Sequence, residues 1–146
     1  MYTMRDTMKR INESAALLPT VEFKNCPIRV SLGVLGKKWT LLILRDIAFL
    51  KIDRFNQIRR SVPGLTSRVL IMRLRELEET GLIEPIVIQH KPKLVRWTLT
   101  EKGKDTVPIL MSLISFGAKW YANEVFEDKQ ARTVHELFPA SAPSCP

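Results

Sequence analysis

The tripeptide Val62-Pro63-Gly64 stands between two stretches whose apolar residues recur at helical spacing, and that arrangement leaves few folds open. Before it, Phe55 and Ile58 give residues 54–61 one apolar side, with Arg54, Asn56, Arg59 and Arg60 on the other. After it, Leu70, Leu74 and Leu77 repeat at spacings of four and three, a helical stripe. Thr66 or Ser67 can cap this second helix, and Gly81 ends it at a left-handed position. A short helix, a tight turn and a longer helix make the outline of a helix-turn-helix.

The flanking segments extend that outline. Leu82 to Gln89 and Leu94 to Thr100 are rich in β-branched and aromatic residues in alternation, and they bracket His90-Lys91-Pro92-Lys93. They predict a β-hairpin with a basic tip, the wing of a winged-helix domain, with Pro85 favouring an edge strand. Upstream, Cys26 and Pro27 read as the N-cap and first residue of a short helix ending near Leu35. Lys38 to Phe49, with Trp39, Leu42, Ile43, Asp46 and Ile47 on one side, read as a core helix. Met4, Met8, Ile11 and Ala15 predict an amphipathic helix over residues 3–18 that packs on its own domain or on a second subunit.

Thr100 is expected to start the last helix, with Glu101 favoured in its first turn by the helix dipole. From Val107 onward Leu110, Leu113, Ile114, Gly117, Trp120 and Tyr121 trace one apolar stripe reaching Glu124, widened by Ile109, Phe116 and Phe126. One small domain does not easily cover so much, so the stripe is read as a homodimer interface in preference to an intrachain core helix. The expected organisation is an N-terminal extension at 1–25, a winged-helix domain at 26–126 and a tail at 127–146. The final residues 140–146 have the composition of a disordered end.

Charge points to the partner. The 146 residues carry 23 Lys+Arg against 15 Asp+Glu, a net charge of +8. Between residues 37 and 75, ten cations oppose only Asp46 and Asp53, so this segment alone accounts for the excess. A field concentrated on a helix-turn-helix favours double-stranded DNA over a generally solvated basic surface. On the second helix of the motif Thr66, Ser67, Arg68, Ile71, Met72 and Arg75 face outward near its N-terminal half and are the expected base readers. Arg68 and Arg75 can fork two donors to guanine, Thr66 and Ser67 can meet phosphate or a base edge, and Ile71 can meet a thymine methyl. Arg73 is expected to pair with an acidic neighbour such as Glu76. Glu76, Glu78 and Glu79 repel phosphate from the far end. Lys38, Arg54, Arg59, Arg60, His90, Lys91 and Lys93 are expected phosphate or groove contacts.

Other classes lose ground on the same residues. There is no GxxxxGK, GxGxxG or GxSxG motif and no histidine placed to activate a Ser or Cys, so an enzyme is not expected. His90 and His135 stand apart from any Cys or carboxylate cluster at ligand spacing, so neither a metal nor a cofactor is expected. The apolar run from Thr40 to Leu50 is broken by Arg45 and Asp46 and is far shorter than a membrane span, and Met1 to Leu18 does not read as a signal peptide. A cytoplasmic protein is expected. Cys26 and Cys145 offer no disulfide framework. Cys26, at a helix start three residues before Arg29, is placed where a helix dipole and a cation lower a thiol pKa; the plain alternatives are a cap or a small buried residue.

Taken in order, Cys26-Pro27-Ile28, Gly36-Lys37-Lys38-Trp39, Arg54-Phe55, the run from Leu74 through Gly81 to Ile83, and Leu99-Thr100-Glu101-Lys102-Gly103 resemble the HxlR-type winged-helix transcription regulators, relatives of the MarR group. The resemblance covers about residues 26 to 122. It implies a prokaryotic homodimer, joined through its terminal helices, that binds an inverted-repeat operator with the helix after Pro63-Gly64 in the major groove. It also implies that Cys26 occupies the position at which some members sense thiol-reactive stress, so a small-molecule or electrophile effector is expected. Lys51-Ile52-Asp53 departs from the family, which often has a glycine there. The expected fold is mainly α with a small β-hairpin wing, and the expected function is a sequence-specific repressor. The alternative is a non-enzymatic winged-helix interaction module in a larger assembly.

Overall fold

A computed structural model describes residues 18–139. The expected helix over residues 3–18 lies outside the described residues apart from Leu18, as do residues 140–146 with Cys145. The chain forms α1 (Pro27–Leu35), α2 (Thr40–Arg45, continued by a π turn, Asp46–Leu50), α3 (Phe55–Ser61) and α4 (Ser67–Glu79). A hairpin of β1 (Ile83–His90) and β2 (Lys93–Leu99) follows, then α5 (Glu101–Lys104), α6 (Val107–Trp120), α7 (Ala122–Val125) and α8 (Val134–Leu137).

The core lies where α2, α3, α4 and the base of the hairpin meet. Ile43, Leu44, Ile58 and Leu70 are completely buried, and Leu74 and Leu77 nearly so. The i, i+4, i+7 spacing on α4 therefore faces inward as a stripe, and truncating Leu70 to alanine would cost about 2–5 kcal/mol. Thr66 caps α4, its hydroxyl oxygen accepting from the Val69 N–H at 3.3 Å. Gly81, with φ +76, turns the chain from α4 into β1, as expected of a left-handed stop.

Three boundaries differ from expectation, each for a physical reason. The core helix begins at Thr40 and not Lys38, because Trp39 is left-handed (φ 79). That conformation lays its ring against the Pro63-Gly64 turn, where a Cβ on Gly64 would stand 3.3 Å from the indole. The helix expected to run on from Thr100 divides into α5 and α6, since Pro108 in the first turn of α6 has no N–H to continue the ladder from α5. Thr100 nevertheless caps as expected, its hydroxyl accepting from Gly103 N at 3.0 Å while donating to the Gly81 carbonyl. Finally α6 ends at Trp120, where Tyr121 leaves helical geometry, so the stripe does not continue unbroken to Glu124.

The hairpin is antiparallel, with Pro85 opposite Trp97 and a register shift between Val87 and Gln89 that ends the simple alternation. Trp97 N donates to the Asp53 carbonyl at 2.9 Å, so the loop before α3 covers the outer side of β2. β1, with Pro85, keeps the free edge. Residues 126–138 fold back over α6 as a strap, with the Arg132 N–H donating to the Ala118 carbonyl at 3.3 Å.

Candidate nucleic-acid interface

With one side of α4 locked into the core, its geometry determines what remains outside. Ser67, Arg68, Ile71, Met72 and Arg75 are all exposed, Ile71 by 49% and Met72 by 45%, and they share the side opposite Leu70, Leu74 and Leu77. Thr66 is exposed as well, but its oxygen already serves the cap. Two large apolar side chains left in water between two arginines are costly unless something covers them, and a base edge or thymine methyl is suitable cover.

The ten cations of residues 37–75 divide into two sets. Glu76 gathers two of them: Lys37 Nζ lies 3.1 Å from one carboxylate oxygen and Arg73 Nη1 3.1 Å from the other. Arg45 is engaged by the buried Asp46. Lys38, Lys51, Arg54, Arg59, Arg60, Arg68 and Arg75 have no carboxylate partner among the described residues. The expected pairing of Arg73 with Glu76 is present, and Arg73 also donates from Nε to the Lys38 carbonyl at 2.9 Å. Lys38 is exposed, its ammonium 4.7 Å from the centre of the Trp39 ring.

Arg54 occupies the N-cap position of α3, exposed and without a side-chain capping bond, and Arg59 and Arg60 are exposed in the last turn of that helix. His90, Lys91 and Lys93 are exposed at the wing tip, where Gln89 Nε2 donates to the Lys91 carbonyl at 2.8 Å. Between the wing and α3 runs a polar groove that contains two cations absent from the expected contacts, Lys51 and Arg96. Arg96 stands opposite Ile86 on the hairpin, 3.7 Å from the Asp53 carboxylate, with Arg54 and Gln57 across the groove. The alternation Val95, Trp97, Leu99 already implies that Arg96 points the other way; what the sequence lacks is the loop that brings Lys51 beside it.

Cys26 is exposed at the N-cap of α1, carries no side-chain capping bond and forms no disulfide among the described residues. The expected subunit-interface residues separate. Leu110 is 5% exposed and belongs to the protomer's own core, while Ile114 and Gly117 are half-buried and line an open apolar groove with residues of α2 and the strap. Leu113, Trp120 and Tyr121 are exposed. Ile109 and Phe116, earlier placed only at the margin, complete the outward row Ile109, Leu113, Phe116, Trp120 at helical spacing. The outward face of α6 is thus rotated by about one residue from the stripe read in the sequence, because Leu110 is taken inward by the core.

A model of the HxlR-like helix-turn-helix matches residues 34–125. Among curated relatives, an HTH-type transcriptional regulator of Methanothermobacter thermautotrophicus is 38% identical over 99 residues, 68% of this chain and 75% of its own. The HTH-type transcriptional regulator YdeP of Bacillus subtilis is 34% identical over 99 residues, 68% of this chain and 77% of its own. Among solved structures, the redox regulator HypR in its reduced form superposes with a TM-score of 0.60 at 32% identity, covering 70% of this chain and 99% of HypR. Reduced YodB of Bacillus subtilis, a transcriptional regulator, gives 0.55 at 28% identity, covering 66% and 94%. The wing, the reading helix and these likenesses agree, and the chain belongs to the HxlR-like helix-turn-helix family of DNA-binding transcriptional regulators.

Proposed function

We propose that the protein is a homodimeric repressor that covers an inverted-repeat operator, placing α4 of each subunit in successive major grooves. The observation that carries this reading is the outward set Ser67, Arg68, Ile71, Met72 and Arg75 on a helix whose opposite side is locked into the core. Lys38, Arg54, Arg59 and Arg60, the wing-tip cations and the Lys51–Arg96 groove supply phosphate contacts around it. Two-fold symmetry sets the half-sites about 34 Å apart or a multiple of that, one duplex turn.

The second subunit covers an apolar face shared by α1 and α6. Ile28 (70% exposed) and Leu32 (58%) on α1 adjoin Ile109 and Leu113 on α6, and Phe116 and Trp120 prolong the row. An exposed apolar face shared by two helices is what an isologous contact uses. The protein works by binding in the cytoplasm and performs no catalysis.

Operator affinity is set by an effector, a small molecule or an electrophile. Cys26 is the candidate for the electrophile branch: it is exposed on α1, beside the proposed subunit contact, and the related HypR is a redox regulator. Selection of bound fragments from genomic DNA tests the central reading. A near-palindromic site bound by a dimer, with affinity falling steeply as salt rises, is expected. A monomer that needs a different chain to bind would favour an interaction module, and alkylation of Cys26 without change in operator affinity would remove the redox branch.

A further inference from the structure

The polar groove between the wing and α3 is lined by three cations, Lys51, Arg54 and Arg96, and, among the described residues, by a single carboxylate, Asp53. Lys51 and Arg54 have no carboxylate partner among those residues, whereas Arg96 Nε stands 3.7 Å from Asp53 Oδ2. An acid in a groove of cations that meets phosphate opposes the contact twice: it repels the backbone, and it occupies one of the cations.

The fold does not need that carboxylate to hold the wing. Residues 51–53 are tied at both ends by their backbone. Lys51, left-handed at φ 55, and Ile52 both donate their N–H to the Asp46 carbonyl, and the Asp53 carbonyl accepts from Trp97 N at 2.9 Å. The hairpin is therefore joined to this loop without the Asp53 side chain. The carboxylate itself is 24% exposed on the tied loop, while the Arg96 side chain is 48% exposed on the wing and is the freer of the two.

At 3.7 Å the pair lies beyond hydrogen-bonding distance, so charge alone holds it, and a half-exposed pair of that kind is weak. A phosphate offers Arg96 a charge-assisted hydrogen bond of about 2.7–2.9 Å and is the better partner. Arg96 can therefore exchange one anion for the other, but Asp53, on its tied loop, stays where it is.

We propose that Asp53 is a built-in competitor for phosphate at Arg96, the residue that limits how tightly the wing grips DNA of any sequence. In the free protein its carboxylate matches the Arg96 charge. On DNA the guanidinium turns to phosphate, and Asp53 is left facing the backbone without its counter-charge. Affinity falls by the same factor on operator and random sequence, which leaves base preference to α4 and shortens the time spent on sites that α4 rejects. The inference rests on the reading that this groove meets phosphate, and it names the residue that restrains the contact.

The test is binding of a fluorescein-labelled duplex of random sequence to the full chain, read by anisotropy at several salt concentrations. Asp53→Asn keeps the side chain's shape and the backbone bond to Trp97. It should tighten binding about three- to tenfold at physiological salt and steepen the salt slope by about one, with an unchanged thermal midpoint. In an Arg96→Ala background the same substitution should change affinity by less than about twofold, because the cation it frees is gone. Glu84 is exposed on the same side of the hairpin as Arg96 but forms no ion pair among the described residues. Glu84→Gln removes an equal charge there and should tighten binding by less than about twofold. Unchanged or weaker binding by Asp53→Asn, an undiminished gain in the Arg96→Ala background, or an equal gain from Glu84→Gln would overturn the proposal. Loss of affinity in Arg96→Ala beside no gain in Asp53→Asn would sink the competitor alone, whereas full affinity in Arg96→Ala would remove the groove from the DNA interface and the proposal with it.

Discussion

Arg73, two turns into the reading helix, donates from Nε to the backbone carbonyl of Lys38 at 2.9 Å, joining α4 to the turn that precedes α2. The same guanidinium bonds Glu76, which also holds Lys37. One arginine of the basic tract is thereby structural: it fixes the angle at which its neighbours Arg68, Met72 and Arg75 leave the domain. Arg73→Ala should lower stability by about 1.5–3 kcal/mol, the range for hydrogen bonds to charged groups. Denaturant unfolding would register that loss. Operator preference should be retained at temperatures where the variant is folded, and a change of preferred sequence would show that Arg73 reads bases itself.

The glycines predict a graded series. A Cβ on Gly103 would lie 2.0 Å from the Leu82 carbonyl oxygen, a backbone atom that cannot move without disturbing its bond from Thr100 N. Gly103→Ala should therefore cost at least about 1–3 kcal/mol, the usual range for overpacking. Gly64, with φ +86, should lose about 1–2 kcal/mol on substitution by alanine because of its left-handed backbone. Gly117→Ala should instead stabilise α6 by up to about 1 kcal/mol, since helix propensity rises and the new methyl meets open space. Thermal unfolding of the three variants checks the order, which a uniform response would contradict.

DNA contacts should divide by role. Arg68→Ala is expected to cost about 1–3 kcal/mol on the operator and to relax base preference there, because Arg68 stands on the outward side of α4. Lys93→Ala at the wing and Arg96→Ala in the groove beside α3 should weaken specific and random duplexes alike, each reducing the salt slope by about one. Fluorescence anisotropy on both duplexes at several salt concentrations separates the two patterns. Equal losses for Arg68→Ala on both would place that arginine on phosphate.

The strap carries a signature in acid. Asp128 is lowered from the ordinary 3.8 to about 2, first by its hydrogen bonds from Arg132 and then by the Gln130 N–H. A carboxyl whose folded pKa lies below its unfolded one stabilises the fold above the unfolded value and loses that contribution as pH falls through the folded one. The strap's attachment should thus be intact at pH 5 and weaken between about pH 4 and pH 2. Carboxyl NMR should give an Asp128 midpoint near 2, and Arg132→Ala should raise it toward the ordinary value. An unchanged midpoint in that variant would mean the ion pair does not hold the strap.

The sequence by itself determined the helix-turn-helix and its wing. Leu70, Leu74 and Leu77, a cap at Thr66 or Ser67, the Pro63-Gly64 turn and the β-branched alternation around His90-Lys91-Pro92-Lys93 are local signals, each legible within a few residues. Leucine spacing on α4 also determined its outward side, since a helix with one side buried leaves only the other. Tertiary structure decided the matters that depend on distant neighbours. Trp39 adopts a left-handed turn because its ring meets Gly64, and Glu76 withdraws Lys37 and Arg73 from the cationic face. The outward row on α6 is read from Ile109 and not Leu110, because the core claims Leu110. The strap that folds back over α6 came only with the fold. Periodicity tells which side chains avoid water; what covers them is decided by residues far along the chain, through contacts no local pattern encodes.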